Sequence, residues 1–214
     1  VVHPNDHPHD SDLIEVSADG QVQRFHPKPH PEGLMVRNMV VAGVYVLQPS
    51  VVGRIQRDRA VDMVHDVLVS EHEQRGGVHA YQTEEYIKDM GTPGRYEAVC
   101  ADWARGRVAR LSLGQPRKTA FLDRDGTINA EVGLLSDVEK FRLIDGAAAA
   151  IRKLNKLGIL TVVVTNQSVV ARGLATEEEL DQLHAHMERL LGQEGAYVDR
   201  LYYCPHHPDS GFEG

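Results

Sequence analysis

FLDRDGTIN, residues 121–129, places two acids two positions apart at the end of a short apolar run. Residues i and i+2 of a strand point to the same side, so Asp123 and Asp125 lie next to each other where the strand opens into a loop. Two neighbouring carboxylates repel each other unless a cation lies between them or one is protonated. The pair therefore favours a site in which one acid binds metal and attacks, while the other moves a proton.

A second polar motif follows another apolar segment. In VVVTNQS, residues 162–168, Thr165 and Asn166 come at the end of a predicted strand. Ligands of open parallel sheets bind beyond the carboxyl ends of the strands, where both motifs lie. A hydroxyl and an amide can donate hydrogen bonds to phosphate there without neutralising an attacking carboxylate. A simple turn is the alternative for either motif alone. Together the two motifs favour a phosphate site.

Strands and helices are predicted to alternate around these motifs. The strands are Thr119 to Leu122, Ile159 to Val164 and Val198 to Tyr203. The first helix is predicted to begin at an Asp145 cap and to end at Gly158, with a buried face of Ala148, Ile151, Leu154 and Leu157. A capping box of Thr176 and Glu179 begins the second helix, whose buried face is Leu180, Leu183, Met187 and Leu190. This order predicts an α/β fold with a parallel sheet, its second strand covered on both faces.

The upstream half is predicted to be mixed α/β. Its expected elements are strands at Leu13 to Val16 and Val22 to Phe25 around a hairpin turn, a strand at Val40 to Leu47, a helix at Val61 to Glu71 and a strand at Val78 to Tyr81. A basic stretch with Gly and Pro at residues 105–117 predicts a linker between domains at 1–104 and 118–214.

Composition narrows the partners. The 214 residues are 42% hydrophobic and carry a net charge of −8, which argues against a broad nucleic-acid or membrane surface. The longest apolar runs are too short to cross a bilayer. Two cysteines, Cys100 and Cys204, give no disulfide framework and predict a cytoplasmic protein. Because the chain opens on Val1 and stops soon after a cysteine–histidine cluster, we expect a piece of a longer protein.

The two downstream motifs, at 121–127 and 162–165, resemble the haloacid dehalogenase superfamily of phosphatases. The resemblance implies a partial Rossmann-like core in which Asp123 is the nucleophile and forms an aspartyl-phosphate. It implies that Asp125 protonates the leaving alcohol and then activates the hydrolytic water. Mg²⁺ would be held by the Asp123 carboxylate and the Asp125 carbonyl, with Thr165 on the phosphoryl oxygens.

Further segments resemble the heptose-1,7-bisphosphate 7-phosphatases of that superfamily, whose substrate is a phosphosugar. These segments are Phe141, 144–146, 165–168, 171–173 and 202–208. Substrate contacts are implied at Arg124, Glu131, Val132, Gly133, Leu134, Thr165, Asn166, Gln167 and Ser168. Val169 stands where the family often has Gly, and Val132 and Leu134 replace more polar or aromatic residues, which leaves the sugar specificity open. A histidinol-phosphate phosphatase-like enzyme shares the first motif and is the alternative.

Cys204 and His206 form half of a tetrahedral metal site. Taken alone, the pair is typical of an ordinary surface loop. In the resembling family this loop continues to further cysteines and holds structural Zn²⁺, so we expect zinc in the complete protein. The superfamily also uses a Lys beside the phosphate and a later acidic pair on Mg²⁺. We locate neither in this sequence, so part of the active site is expected to be missing.

Three upstream segments, 25–30, 38–47 and 86–93, resemble the C-terminal half of sugar-phosphate nucleotidyltransferases. The resemblance implies that Lys28 binds the sugar phosphate, that Asp89 helps to bind catalytic Mg²⁺, and that a nucleoside triphosphate is a partner. A solvated charge and a turn acid are the alternatives. Both halves together predict a bifunctional enzyme of nucleotide-activated heptose supply. The rivals are a transferase for another sugar phosphate and an inactive binding or scaffolding chain.

Overall fold

A small antiparallel sheet forms the centre of the upstream half in a computed structural model, which describes residues 1–209. Its strands are Val2–His3 (β1), Leu13–Val16 (β2), Val22–His26 (β3) and Val40–Val41 (β4), in the order β1-β4-β2-β3. The predicted hairpin between β2 and β3 is confirmed, and Gly20 provides a left-handed turn residue with a φ of 86°. Val2, Ile14 and Val22 form the buried cluster beneath this sheet.

Short helical segments surround that sheet. They are a 3-10 helix at Pro8–Asp10, α1 at Pro49–Val52, a π-helix at Met63–Leu68, α2 at Val69–Arg75, α3 at Pro93–Ala104 and α4 at Arg107–Arg110. The helix predicted at Val61 to Glu71 is therefore present but displaced towards the C-terminus. It begins at an Asp62 cap, whose carboxylate accepts the N–H groups of Val64 and His65.

Two upstream strand predictions are wrong in extent. The strand expected at Val40 to Leu47 stops at Val41, because Gly43 turns the chain with a φ of 70° and Val46 is left 96% exposed. Residues 78–81 make only isolated bridges and single backbone hydrogen bonds to neighbouring segments. In both places apolar and aromatic residues favoured a strand, but within residues 1–209 no neighbouring strand pairs with the segment along its length.

The downstream half contains the predicted parallel sheet. Its strands are Thr119–Leu122 (β5), Leu160–Asn166 (β6) and Arg200–Cys204 (β7), in that spatial order. The register pairs Leu122 with Val163, and Thr165 with Tyr203. β6 extends beyond the end of β5 by three residues, so the first acidic motif lies beside the polar end of β6.

Two helices pack on one face of this sheet, Ala147–Leu157 (α5) and Glu177–Gln193 (α6), and a 3-10 turn lies at Val138–Lys140. The predicted capping box at Thr176 is confirmed. The predicted Asp145 cap is wrong, since Gly146 is the capping position and no side chain caps the helix. Leu157 is 65% exposed instead of buried, while Asn155 is buried and bonds to the backbone of Tyr197.

The main core lies between the sheet and these helices. It is formed by Ile128, Leu135, Phe141, Ala148, Ile151, Val163, Leu183, Met187, Leu191, Ala196 and Val198. The opposite face of the sheet carries exposed Phe121, Val164 and Tyr202, at 71%, 48% and 59% exposure. The expectation that β6 is covered on both faces is therefore wrong for residues 1–209. Those residues contain no helix long and apolar enough to cross a bilayer.

The segment predicted as a linker is partly helical and packs against the downstream half. It contains α4. The side chain of Leu111 is buried against Gly158, so close that a Cβ added to this glycine would lie 2.9 Å from Leu111. Arg107 donates to the carbonyl of Lys156 at 2.9 Å. The domain boundary at 105–117 stays a prediction.

Helix α6 also contacts the upstream half. Its buried Glu188 accepts a bond from the Arg37 guanidinium at 2.7 Å and one from the N–H of Asn38 at 2.7 Å. Asp181, on the same helix, accepts a second bond from Arg37 at 3.1 Å. A single helix thus packs on the parallel sheet and binds the upstream half.

Candidate active site

The two acids of the first motif lie directly after β5, as predicted, but in different surroundings. Asp123 is exposed, and its carboxylate accepts the N–H of Arg124 at 2.7 Å. Asp125 is only 19% exposed and its carboxylate is turned towards the protein. One carboxylate is therefore available to a ligand while the other belongs to an internal network.

Arg124 is the centre of that network. Its side chain is fully buried, and Nε and one terminal nitrogen contact both carboxylate oxygens of Asp125, the shortest distance being 2.8 Å. The same terminal nitrogen donates to Oε1 of Gln167 at 2.6 Å. Arg124, predicted to contact substrate, is thus enclosed by protein, where its guanidinium orients Asp125.

Gln167 joins the first motif to the second. Its side-chain amide donates to Oδ2 of Asp125 at 2.8 Å and to the hydroxyl of Thr165 at 2.9 Å. Both Gln167 and Thr165 are buried. Because Thr165 accepts from Gln167, its hydroxyl proton can be directed at a ligand oxygen. The two motifs are therefore brought together, with Gln167 bonded to both.

The network keeps Asp125 ionised. Burial alone would raise the pKa of Asp125, but hydrogen bonds from Arg124 and Asn129 and the charge of Arg124 outweigh it. The amide of Asn129 donates to Oδ1 of Asp125 at 2.8 Å. The pKa of the Asp125 carboxyl is consequently below its usual range, so the group carries a negative charge at neutral pH.

A histidine of α6 completes the surroundings of Arg124. His184 is fully buried, and its Nε2 lies 3.2 Å from a terminal nitrogen of Arg124. Burial and the positive charges of Arg37 and Arg124 lower the pKa of His184 to about 2. The imidazole is therefore neutral at physiological pH and accepts a hydrogen bond at Nε2.

The predicted substrate loop lies at the surface beside the first motif. Glu131, Val132, Gly133 and Leu134 are all exposed, and a Cβ on Gly126 would lie 3.9 Å from the Cβ of Glu131. Glu131 accepts the N–H of Gly133 at 2.6 Å, which tightens the turn. Asn166 is exposed and Ser168 is partly buried at the end of β6. These positions are accessible to a ligand, and their contacts with substrate stay a prediction.

Cys204 and His206 lie at the end of β7 and just beyond it. Cys204 is exposed and forms no disulfide. Within the described residues 1–209, no three His, Cys, Asp or Glu side chains lie close enough together to hold a metal ion. The pair provides two ligands, and zinc binding stays a prediction.

The predicted upstream residues lie in separate surroundings. Lys28 donates to the backbone carbonyl of Asp10 at 3.1 Å and lines a cavity of about 650 Å³ that also borders Arg189 of α6. Asp89 is exposed, accepts the N–H of Gly91 at 3.0 Å and pairs with Arg95. The carboxylate of Asp89 thus stabilises the turn before α3.

Sequence reasoning assigned no role to Asn129, His184 or Glu188. A signal for the last two was present, since Leu180, His184 and Glu188 recur every four residues and lie on one face of a helix. Polar residues at such positions are buried with the apolar ones and need partners. The partners, Arg124 and Arg37, are distant in sequence and could not be named.

No family model matches the chain. Curated relatives do: the chain is 48% identical over 90 residues to the D-glycero-beta-D-manno-heptose-1,7-bisphosphate 7-phosphatase of Photorhabdus laumondii, covering 42% of this chain and 48% of that protein. The same-named protein of Escherichia coli K12 is 46% identical over 93 residues, covering 44% and 49%. The chain thus spans about half the length of the curated relatives it matches.

A solved structure is also similar, the D,D-heptose 1,7-bisphosphate phosphatase of B. bronchiseptica complexed with magnesium and phosphate. It is 36% identical to this chain, with a TM-score of 0.42, over 44% of this chain and 54% of that one.

Proposed function

We propose that the downstream half carries the nucleophile and proton-transfer groups of a phosphomonoesterase that removes the 7-phosphate of D-glycero-D-manno-heptose 1,7-bisphosphate. The observation that carries the proposal is the bonded set of Asp125, Gln167 and Thr165 beside exposed Asp123, at the carboxyl ends of parallel strands. Relatives with that name, at 46% to 48% identity over about half their length, support the substrate.

The first step forms a bond between an Asp123 carboxylate oxygen and phosphorus, and breaks the bond between phosphorus and the sugar oxygen. The leaving oxygen takes a proton from Asp125. Donation requires the protonated form of Asp125, and because its pKa is lowered, that form is a strong acid towards the leaving oxygen. The hydroxyl of Thr165 donates to a phosphoryl oxygen.

In the second step water attacks phosphorus and the Asp123 carboxylate leaves, releasing inorganic phosphate. Asp125, now ionised, takes a proton from that water and is ready to act again as an acid. Its bonds from Arg124, Asn129 and Gln167 stabilise this ionised form. The same residue serves both steps because the proton that it gives in the first step leaves it ionised, ready to take a proton from water in the second.

Magnesium fits the exposed end of this site. Within residues 1–209 the Asp123 carboxylate accepts one hydrogen bond, from the N–H of Arg124, and oxygen donors are those that Mg²⁺ prefers. We propose the Asp123 carboxylate and the Asp125 carbonyl as ligands. The chemistry supplied by a bound Mg²⁺ is neutralisation of the phosphoryl charge, which lets a carboxylate approach an anion.

Zinc is proposed at the end of β7. Exposed Cys204 and nearby His206 can provide two of the four ligands of a tetrahedral site. Both described cysteines, Cys100 and Cys204, are free thiols, which supports the cytoplasm as the compartment.

For the upstream half we propose nucleotidyl transfer from a nucleoside triphosphate to a sugar 1-phosphate. Lys28 supports this, because its half-exposed ammonium borders a cavity large enough for a phosphosugar. Asp89 lies in the turn before α3, where its carboxylate is accessible to Mg²⁺ once Arg95 releases it. The two activities are successive in chemical terms, since removing one phosphate leaves the sugar 1-phosphate that the second activity consumes.

The test uses the polypeptide that carries this chain at its natural length, with Mg²⁺ and either heptose 1,7-bisphosphate or histidinol phosphate. We expect release of the 7-phosphate, and Asp123→Asn should lower kcat by at least about 1,000-fold because the nucleophile is lost. Asp145→Asn is the matched control, since that acid is exposed and caps no helix. Faster hydrolysis of histidinol phosphate would favour the alternative substrate, and no hydrolysis of either would contradict the proposal.

A further inference from the structure

We propose that His184 is a positioning residue, which fixes the Arg124 guanidinium by accepting a hydrogen bond and thereby holds the Asp125 carboxylate in place for proton transfer. The inference rests on the proposed phosphatase function and adds to it a residue from α6. His184 does not touch the substrate side of the site.

The geometry of Arg124 carries the first part of the argument. A guanidinium has five N–H donors in one rigid plane, so its orientation is set by all of its acceptors together. Asp125 and Gln167 accept hydrogen bonds along one edge of the Arg124 guanidinium. His184 accepts one from the other terminal nitrogen at 3.2 Å. Without an acceptor at His184, a fully buried N–H would lose its partner and the plane could tilt.

The chemistry of the imidazole carries the second part. Arg124 can only donate, so Nε2 of His184 must be an acceptor and the ring proton must be on Nδ1. Nδ1 is itself buried and has no hydrogen-bond partner within residues 1–209. An unsatisfied buried N–H lowers stability, so the contact with Arg124 is retained at the expense of stability.

Packing of α6 carries the third part. His184 lies between Leu183 and Ala185, both 1% exposed, and its ring is 5.5 Å from that of Tyr203. Its buried neighbours on α6 and the ring of Tyr203 therefore hold the imidazole in one orientation. A fixed imidazole in turn fixes the position of the Arg124 guanidinium. Rigid support of this kind matters because displacing a reacting group by about 1 Å can cost about 100-fold in rate.

The experiment compares three variants of the polypeptide at its natural length. His184→Leu removes the acceptor, and we expect kcat to fall about 10- to 100-fold while KM changes by less than about twofold. His184→Gln places a carbonyl oxygen close to the former Nε2 and should recover kcat to within about threefold. His186→Leu is the matched control on the same helix, where the ring contacts Phe141 instead of Arg124; it should retain wild-type kcat.

A purely structural role would lower kcat equally in His184→Leu and His184→Gln, and an effect confined to KM would also overturn the proposal. A second measurement does not depend on whether a variant folds. In ¹⁵N NMR of the wild type at pH 7, His184 should be the neutral tautomer with its proton on Nδ1. A proton on Nε2 would contradict the contact. If the wild type hydrolyses no phosphomonoester, the proposed function fails, and the tautomer still decides whether His184 positions Arg124.

Discussion

Two regions of the molecule carry charged residues with proposed functions, and they are built differently. Around Asp125, charged and polar groups are buried and bonded to one another, with Arg124 fully enclosed. Around Lys28 and Asp89, each charge is exposed and has its own local partner, Asp10 for the first and Arg95 for the second.

The difference concerns preorganisation. Buried charges retain their orientation because leaving any of them unpaired is costly, so the downstream network is fixed before a substrate arrives. Exposed pairs contribute about 0–1 kcal/mol and exchange partners readily. We therefore expect changes in the downstream network to have large effects on the free energy of unfolding and on the catalytic rate. Changes of the upstream charges should have little effect on stability in the absence of a ligand.

The largest effect should come from Arg124→Met. This change leaves the partly buried carboxylate of Asp125 without its cation, and we expect the free energy of unfolding to fall by about 4 kcal/mol. Lys28→Met is the matched control, because that side chain is 49% exposed, and should cost less than about 0.5 kcal/mol. Denaturant unfolding of both variants measures the contrast. Equal losses would remove the distinction between the two regions.

A smaller effect is expected where the halves meet. Glu188→Gln removes the charge opposite Arg37 and one of two buried acceptors, and should cost about 3 kcal/mol. Asp181→Asn changes the exposed carboxylate on the same guanidinium and should cost less than about 1 kcal/mol. Urea unfolding curves with unchanged slopes would measure both values. A larger loss for Asp181→Asn would show that burial is not what makes the junction strong.

The smallest effect depends on pH. The pKa of His184 is lowered from 6.5 to about 2, so between those values the unfolded chain binds more protons than the folded one. The contribution of His184 is thus complete above about pH 6.5 and declines as the pH falls towards 2. As the pH falls from 7 to 5, the free energy of unfolding should therefore decrease by about 2 kcal/mol through His184. His184→Gln should flatten the pH dependence of unfolding by that amount, and an unchanged slope would contradict a neutral buried imidazole.

Much of the downstream fold was predictable because local signals agree there. The capping box at Thr176, the apolar strand of β6 and the terminal Gly158 each point to the same boundaries as the packing does. Upstream, the apolar run from Val40 was misinterpreted because strand formation needs a partner strand, and propensity does not reveal one. Leu157 was misplaced for a related reason, since Asn155 takes the buried position through bonds to the distant Tyr197.

The candidate site divides in the same way. The spacing of Asp123 and Asp125 and the strand-end position of Thr165 follow from periodicity and sheet topology. The roles of Gln167 and His184 do not, because they depend on a guanidinium that folds inward instead of facing solvent. The family resemblance implied a substrate contact for Arg124, whereas the structure buries its side chain completely.

His184 and Glu188 are four residues apart on α6, a rise of about 6 Å along the helix axis. One contacts the guanidinium beside Asp125 and the other the guanidinium at the junction with the upstream half. Local opening of this single turn would release both contacts at once, so they belong to one cooperative unit of amide hydrogen exchange. We therefore expect the junction with the upstream half and the acidic site to open with the same free energy, although the two regions are far apart in sequence.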